Sequence, residues 1–159
     1  MKLLFVAHRY YPFPGGTEYY VQGMAEEALS RGHDVSVFAG EHKGDQNGVK
    51  VTSDQNELMQ PYDLIIVHGG DVGLQNFVLQ NAKAIPSPIL FMIVVPSNSQ
   101  VYMNALQDCK YLSWSTTQDY EYLSANGVLD KAVNVRHGIK QHESVGNNVF
   151  KQKLGIDPS

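Results

Sequence analysis

Gly15 and Gly16 stand where a proline-bearing loop, HRYYPFPGG (residues 8–16), gives way to an amphipathic run that begins at Thr17. Such a pair lets backbone approach a ligand with no Cβ in between. With Thr17 as the N-cap of a helix, free N–H groups and the helix dipole meet at this point and favour a phosphate or a carboxylate. The same glycines equally suit a tight entry into the helix, and the pattern alone leaves both readings open. Arg9, Tyr10 and Glu18 lie in or beside the loop. Tyr10, Tyr11, Tyr19 and Tyr20 form an aromatic cluster suited to stacking on a sugar or to packing within the protein. His68 is a second place for chemistry, a titratable group that ends an apolar run just before Gly69. A histidine hydrogen-bonded within a strand-end loop is the alternative there. Ser97 and Asn98, following another apolar run, form a third.

Other chemistries lack their residues. The glycine pair lies too far beyond the first apolar run for a dinucleotide fingerprint, and neither GxxxxGK[ST] nor GxSxG occurs. The six histidines show no metal-ligand spacing, so no metal is expected. A single cysteine, Cys109, rules out a disulfide within the chain and fits a reducing compartment; it reads as a small apolar filler. The net charge is −4 with no basic stripe, which argues against nucleic acid as a partner. No stretch reaches the roughly 18 apolar residues of a membrane span. The opening run Met1–Ala7 is too short for a signal peptide and runs directly into His8 and Arg9. The expected location is the cytoplasm.

The elements that must position these residues follow from periodicity. With 159 residues, 43% of them hydrophobic and 18% charged, the chain is sized for one folded domain. Lys2–Ala7 reads as a strand buried on both faces. Val21, Met24, Ala25, Ala28 and Leu29 make one helical stripe, which Gly32 ends. Asp34–Ala39 alternates as a second strand, and so short a return favours a parallel, right-handed unit. Gly48–Ser53, Asp63–His68, Pro88–Val95, Tyr111–Ser115 and Ala132–Arg136 read as further strands. Val72–Ala84, Ser97–Cys109 and a segment from Thr116 or Thr117 to Asn126 read as helices. The alternation implies an α/β class: a Rossmann-like open, mostly parallel sheet with helices on both faces. Ligands of such sheets bind beyond the carboxyl ends of the strands, where the three candidate segments converge.

The run MKLLFVAHRYYPFPGGTEYYVQGMAEEALSRGHDVSVFAG resembles the start of retaining glycosyltransferases of family 4, which have the two-domain GT-B fold. It carries that family's opening strand, P-x-x-GG-x-E loop, first helix and RGH-x-V-x-V-F second strand. DLIIVHG, PILFMIVV, WSTTQDYEYLSANG and KAVNVRHGI agree more loosely. The resemblance implies that residues 1–139 are the acceptor-side N-terminal half of such an enzyme, and 140–159 a linker and the opening of a C-terminal donor-binding domain. It implies a nucleotide-sugar donor (a UDP- or GDP-sugar) as substrate, no cofactor and no metal. It further implies a small-molecule, glycan or lipid acceptor, and a fragment inactive without its donor half. Membrane attachment, where the family shows it, is peripheral; no segment here carries a convincing basic or amphipathic patch. The family's glycine pair near the donor phosphates maps onto Gly15 and Gly16, with Thr17 beside them, and Glu18 matches its loop glutamate. Arg9, Tyr10, Glu18, His68, Gly69, Ser97 and Asn98 would line the acceptor pocket. Two departures stand out: Val95-Pro96-Ser97 lacks the histidine many members carry after the fifth strand, and His137-Gly138-Ile139-Lys140 replaces Asn-Gly-Val-Asp. His68, ending the neighbouring strand, is the candidate to take the missing histidine's catalytic place. A non-catalytic sugar- or nucleotide-binding module and a sugar-nucleotide epimerase of the same architecture are the alternatives.

Overall fold

The computed structural model describes residues 1–69 and 73–136. Seven strands form one open sheet: β1 (Lys2–Arg9), β2 (Asp34–Glu41), β3 (Lys50–Thr52), β4 (Leu64–His68), β5 (Ile89–Met92), β6 (Tyr111–Trp114) and β7 (Ala132–Asn134). Their order is β3-β2-β1-β4-β5-β6-β7, and every neighbouring pair is parallel. Among the described residues, four α-helices flank the sheet: α1 (Gly16–Ser30), α2 (Gly73–Gln80), α3 (Gln100–Asp108) and α4 (Thr117–Ala125). The α/β class and the parallel Rossmann-like sheet expected from the sequence are therefore present. No described helix is long and apolar enough to cross a membrane.

β1 explains the layering. Its side chains alternate between faces, and both faces are buried. Leu3, Phe5 and Ala7 join Val35, Val37 and the α1 residues Val21 and Ala25 in one core. Leu4 and Val6 join Ile65, Val67 and Phe91 in the other, with Val78 and Leu79 of α2, Ala105 and Leu106 of α3, and Leu123 of α4. Phe5 sits opposite both Val37 on β2 and Ile66 on β4, which fixes the centre of the sheet.

Several boundaries differ from the sequence expectation. β1 continues past Ala7 to Arg9, because β2 offers partners as far as Glu41 and Arg9 pairs with it. Helix α1 starts at Gly16, with Gly15 in the N-cap position and no side-chain cap, so Thr17 lies inside the helix and caps nothing. β5 stops at Met92 rather than Val95: its last partner on β6 is Ser113, after which the chain turns outward and leaves Val95 66% exposed. Helix α3 begins after Ser99, whose hydroxyl accepts from the Tyr102 N–H, rather than at Ser97. β3 and β7 are three residues each, short edge strands that offer little backbone for unwanted pairing. The 137–159 segment, with the expected linker turn and the start of a second domain, lies outside the described residues.

Candidate functional site

β1 and β4 are neighbours at the middle of the sheet, yet the helices that follow them lie on opposite faces. The chain thus diverges just beyond the carboxyl ends of these two strands, the place where open α/β sheets leave a crevice. A cleft of about 310 Å³ occupies it. His8 and Arg9 from the end of β1 form one wall, residues Gly15 to Glu18 entering α1 form the second, and Gly69 and Gln75 from the β4–α2 side form the third. A groove of about 330 Å³ at the opposite, amino end of β5 includes Lys83, Asp108 and Lys110, and none of the residues singled out from the sequence lies in it.

The α1 wall is built around a carboxylate. Glu18 occupies the third position of the helix and folds back, so that a Cβ on Gly15 would lie 2.0 Å from its Oε2. Its Oε1 accepts a hydrogen bond from Arg9 Nε at 3.1 Å. The Glu18 side chain is 11% exposed, whereas Arg9 is 44% exposed. The carboxylate therefore lies at the positive end of α1, with the guanidinium as its lid.

The opposite wall is shaped by two glycines. Gly69 donates its N–H to the Met92 carbonyl at 2.7 Å, and a Cβ there would lie 2.6 Å from that oxygen and 2.9 Å from the Phe91 ring. Gly73 has a φ of +41°, and a Cβ on it would lie 2.5 Å from Nδ1 of His8. The imidazole is thus seated against the first turn of α2, with its Nε2 3.9 Å from Glu41 Oε1. Gln75, 1% exposed, lies on the cleft wall.

Among the described residues, His8 Nδ1 and Gln75 Oε1, on residues that line the cleft, are buried and have no hydrogen-bond partner, as are Tyr10 Oη and Asn76 Oδ1 on residues outside the lining. Buried polar atoms are normally paired, and unpaired ones on the wall of a cleft are where a ligand or water supplies the missing bonds.

The residues expected from the sequence divide into two groups. Arg9, Gly15, Gly16, Thr17, Glu18 and Gly69 come together in the cleft. Tyr10, His68, Ser97 and Asn98 do not line it. Tyr10 is wholly buried in the core beneath α1, and its N–H donates to the Glu41 carbonyl. Burial, and then the nearby Glu26 carboxylate, push its phenol well above the ordinary tyrosine range. His68 is 4% exposed, and its ring lies 4.7 Å from that of Tyr20. The Ser97 carbonyl accepts from Tyr122 Oη at 2.5 Å, and Asn98 is exposed. Gly70 and Asp71 lie outside the described residues. Among the described residues no cluster of His, Cys, Asp or Glu could hold a metal ion.

The sequence reading passed over His8 and Gln75. For Gln75 a signal existed: it shares an i, i+3, i+4 stripe with Val78 and Leu79, all three buried, and an amide on an apolar stripe needs a reason. For His8 the signal was weaker, since it depends on β1 running on to Arg9.

In comparisons with known proteins, no family model matches the chain and no curated protein matches it.

Proposed function

We propose that this domain is the acceptor-side half of a two-domain retaining glycosyltransferase. The cleft beyond β1 and β4 would hold the acceptor and turn the N-terminus of α1 toward the diphosphate of a nucleotide sugar, a UDP- or GDP-sugar, carried by a donor-binding domain. The observation that carries this reading is the meeting of Arg9, the Gly15-Gly16 pair, Glu18 and Gly69 in one cleft at the switch point of the sheet. Backbone N–H groups at a helix start stabilise the negative charge that a departing diphosphate gains. Closure of two domains over the cleft would exclude water from the transfer.

A second reading, a binding module that performs no transfer, draws on His68. Its ring lies against that of Tyr20 and is absent from the cleft lining, and Val95-Pro96-Ser97 carries no histidine. Donor hydrolysis and transfer by the full-length protein, offered a panel of sugar nucleotides beside residues 1–159 alone, separates the two. Turnover of one donor by the full-length protein and none by residues 1–159 is the expected result. Donor binding without any turnover by the full-length protein would replace the transferase reading with the binding module.

A further inference from the structure

We infer that Gln75 selects a neutral, polyhydroxylated ligand for the cleft by accepting a hydrogen bond from one of its hydroxyls, with His8 as a second point of contact. This rests on the cleft as the acceptor's place and names the acceptor's chemistry, a sugar ring or cyclic polyol with free hydroxyls. Gln75 is 1% exposed and shares the apolar stripe of α2 with Val78 and Leu79. Its Oε1 has no partner. An apolar side chain of the same length would pack there without stranding an oxygen, so the amide is a cost to the fold that calls for a partner from outside it. The cleft that Gln75 lines is the space from which a donor reaches it. Rotation about the last bond of a glutamine is soft and turns the oxygen toward such a donor. His8 arrives from a different element, the end of β1, and its Nδ1 is likewise buried and unpaired on a residue of the same lining.

The donors and acceptors around the cleft decide the ligand class. Arg9 and Glu18 are bonded to each other at 3.1 Å, so that pair leaves no unmatched charge to hold an ion. A carboxylate brings acceptors only and would set one against Gln75 Oε1. An ammonium brings donors only and has nothing to offer the Arg9 donors. A hydroxyl donates to Oε1 and accepts, through its own oxygen, from a group such as the half-exposed guanidinium. It also suits His8, since a neutral imidazole nitrogen takes either role according to its tautomer. Hydroxyls fixed on one ring meet several such groups with little rotational freedom to lose.

Ligand-observed NMR titration of the 159-residue chain with D-glucose, D-mannose, D-galactose and myo-inositol tests the inference, beside the ionic relatives D-glucuronate and D-glucosamine. At least one of the four neutral compounds is expected to bind. None binding, or either ionic compound binding more tightly than all four, would overturn it. Gln75→Met keeps the length of the side chain without its amide. It should weaken binding by roughly tenfold while the melting temperature holds or rises. Unchanged affinity in this variant, or a lowered melting temperature, assigns the amide to the fold and overturns the inference. Monodeoxy derivatives of the bound compound supply a test on the native chain that needs no variant. One of them should bind roughly tenfold more weakly, and that loss should vanish in Gln75→Met; a deoxy series with no such position also overturns it. Sugar transfer by the full-length protein is a separate readout. Turnover indifferent to Gln75→Met keeps the transferase and removes this role for Gln75, whereas polyol binding governed by Gln75 without turnover does the reverse.

Discussion

A methyl group added at Gly69 would meet the Met92 carbonyl, whereas one added at Gly16 would meet nothing within 4 Å. The two glycines flank one cleft, yet their substitution should differ sharply. Gly69→Ala forces a shift of β5 backbone and is expected to cost about 1–3 kcal/mol, read as a lower denaturant midpoint. Gly16→Ala should stay within about 0.5 kcal/mol of the native chain. Comparable losses at both positions would count against this geometry. The glycine pair was conspicuous in the sequence because it sits beside prolines at a change of periodicity. Tyr10 was misleading, since a tyrosine in a polar loop reads as a surface group. It is buried because β1 runs further than its apolar residues, which carries the loop's start beneath α1. Such an extension depends on where β2 ends, which local sequence does not reveal.

At the scale of elements, α4 shows how a short helix is started. Thr116 Oγ accepts from the Asp119 N–H, and Asp119 Oδ2 accepts from the N–H groups of Thr116 and Ser115 and from the Ser115 hydroxyl. Asp119 is 1% exposed, and the bonds it makes are partly buried. Thr116→Ala should cost about 1 kcal/mol through the lost cap. Asp119→Ala should cost more, about 1–3 kcal/mol, because it removes the acceptor of three hydrogen bonds at once. Thermal unfolding of the two variants ranks them, and a milder effect at Asp119 would contradict the network. The sequence left the cap between Thr116 and Thr117; the structure gives it to Thr116, with Asp119 completing a capping box. The start of α1 was not legible, because its cap position holds a glycine and the nearby carboxylate belongs to a residue inside the helix. β5 was overestimated for a related reason: apolar residues continue to Val95, but the paired register with β6 ends at Met92 and Ser113.

Across the whole molecule, several acidic protons are held by burial. Burial pushes the Cys109 thiol up to about 12 from 9.0, the effect of Lys131 opposing it only in part. Burial likewise raises the phenols of Tyr10 and Tyr62, with the Glu57 hydrogen bond adding to the latter. In each case the folded chain keeps a proton that the unfolded chain releases more readily. The stability these groups contribute is complete below the unfolded value and falls as pH rises through the folded one. The chain should therefore lose stability between about pH 9 and about pH 12, and Cys109→Ala should reduce the slope. Urea midpoints measured across that window test this, and equal slopes for the two proteins would refute the contribution of Cys109. The strand order has a consequence of a different kind. The β1–α1–β2 unit assembles from adjacent sequence, but the facing wall of the cleft arrives with β4, from a remote part of the chain. A chain that has closed only its first unit offers Arg9 and the start of α1 without the facing wall of Gly69 and Gln75. Any molecule that binds there is consequently a titrant of completed folding: its stoichiometry counts the molecules in which β4 has found β1, and its presence draws the rest toward that state by mass action.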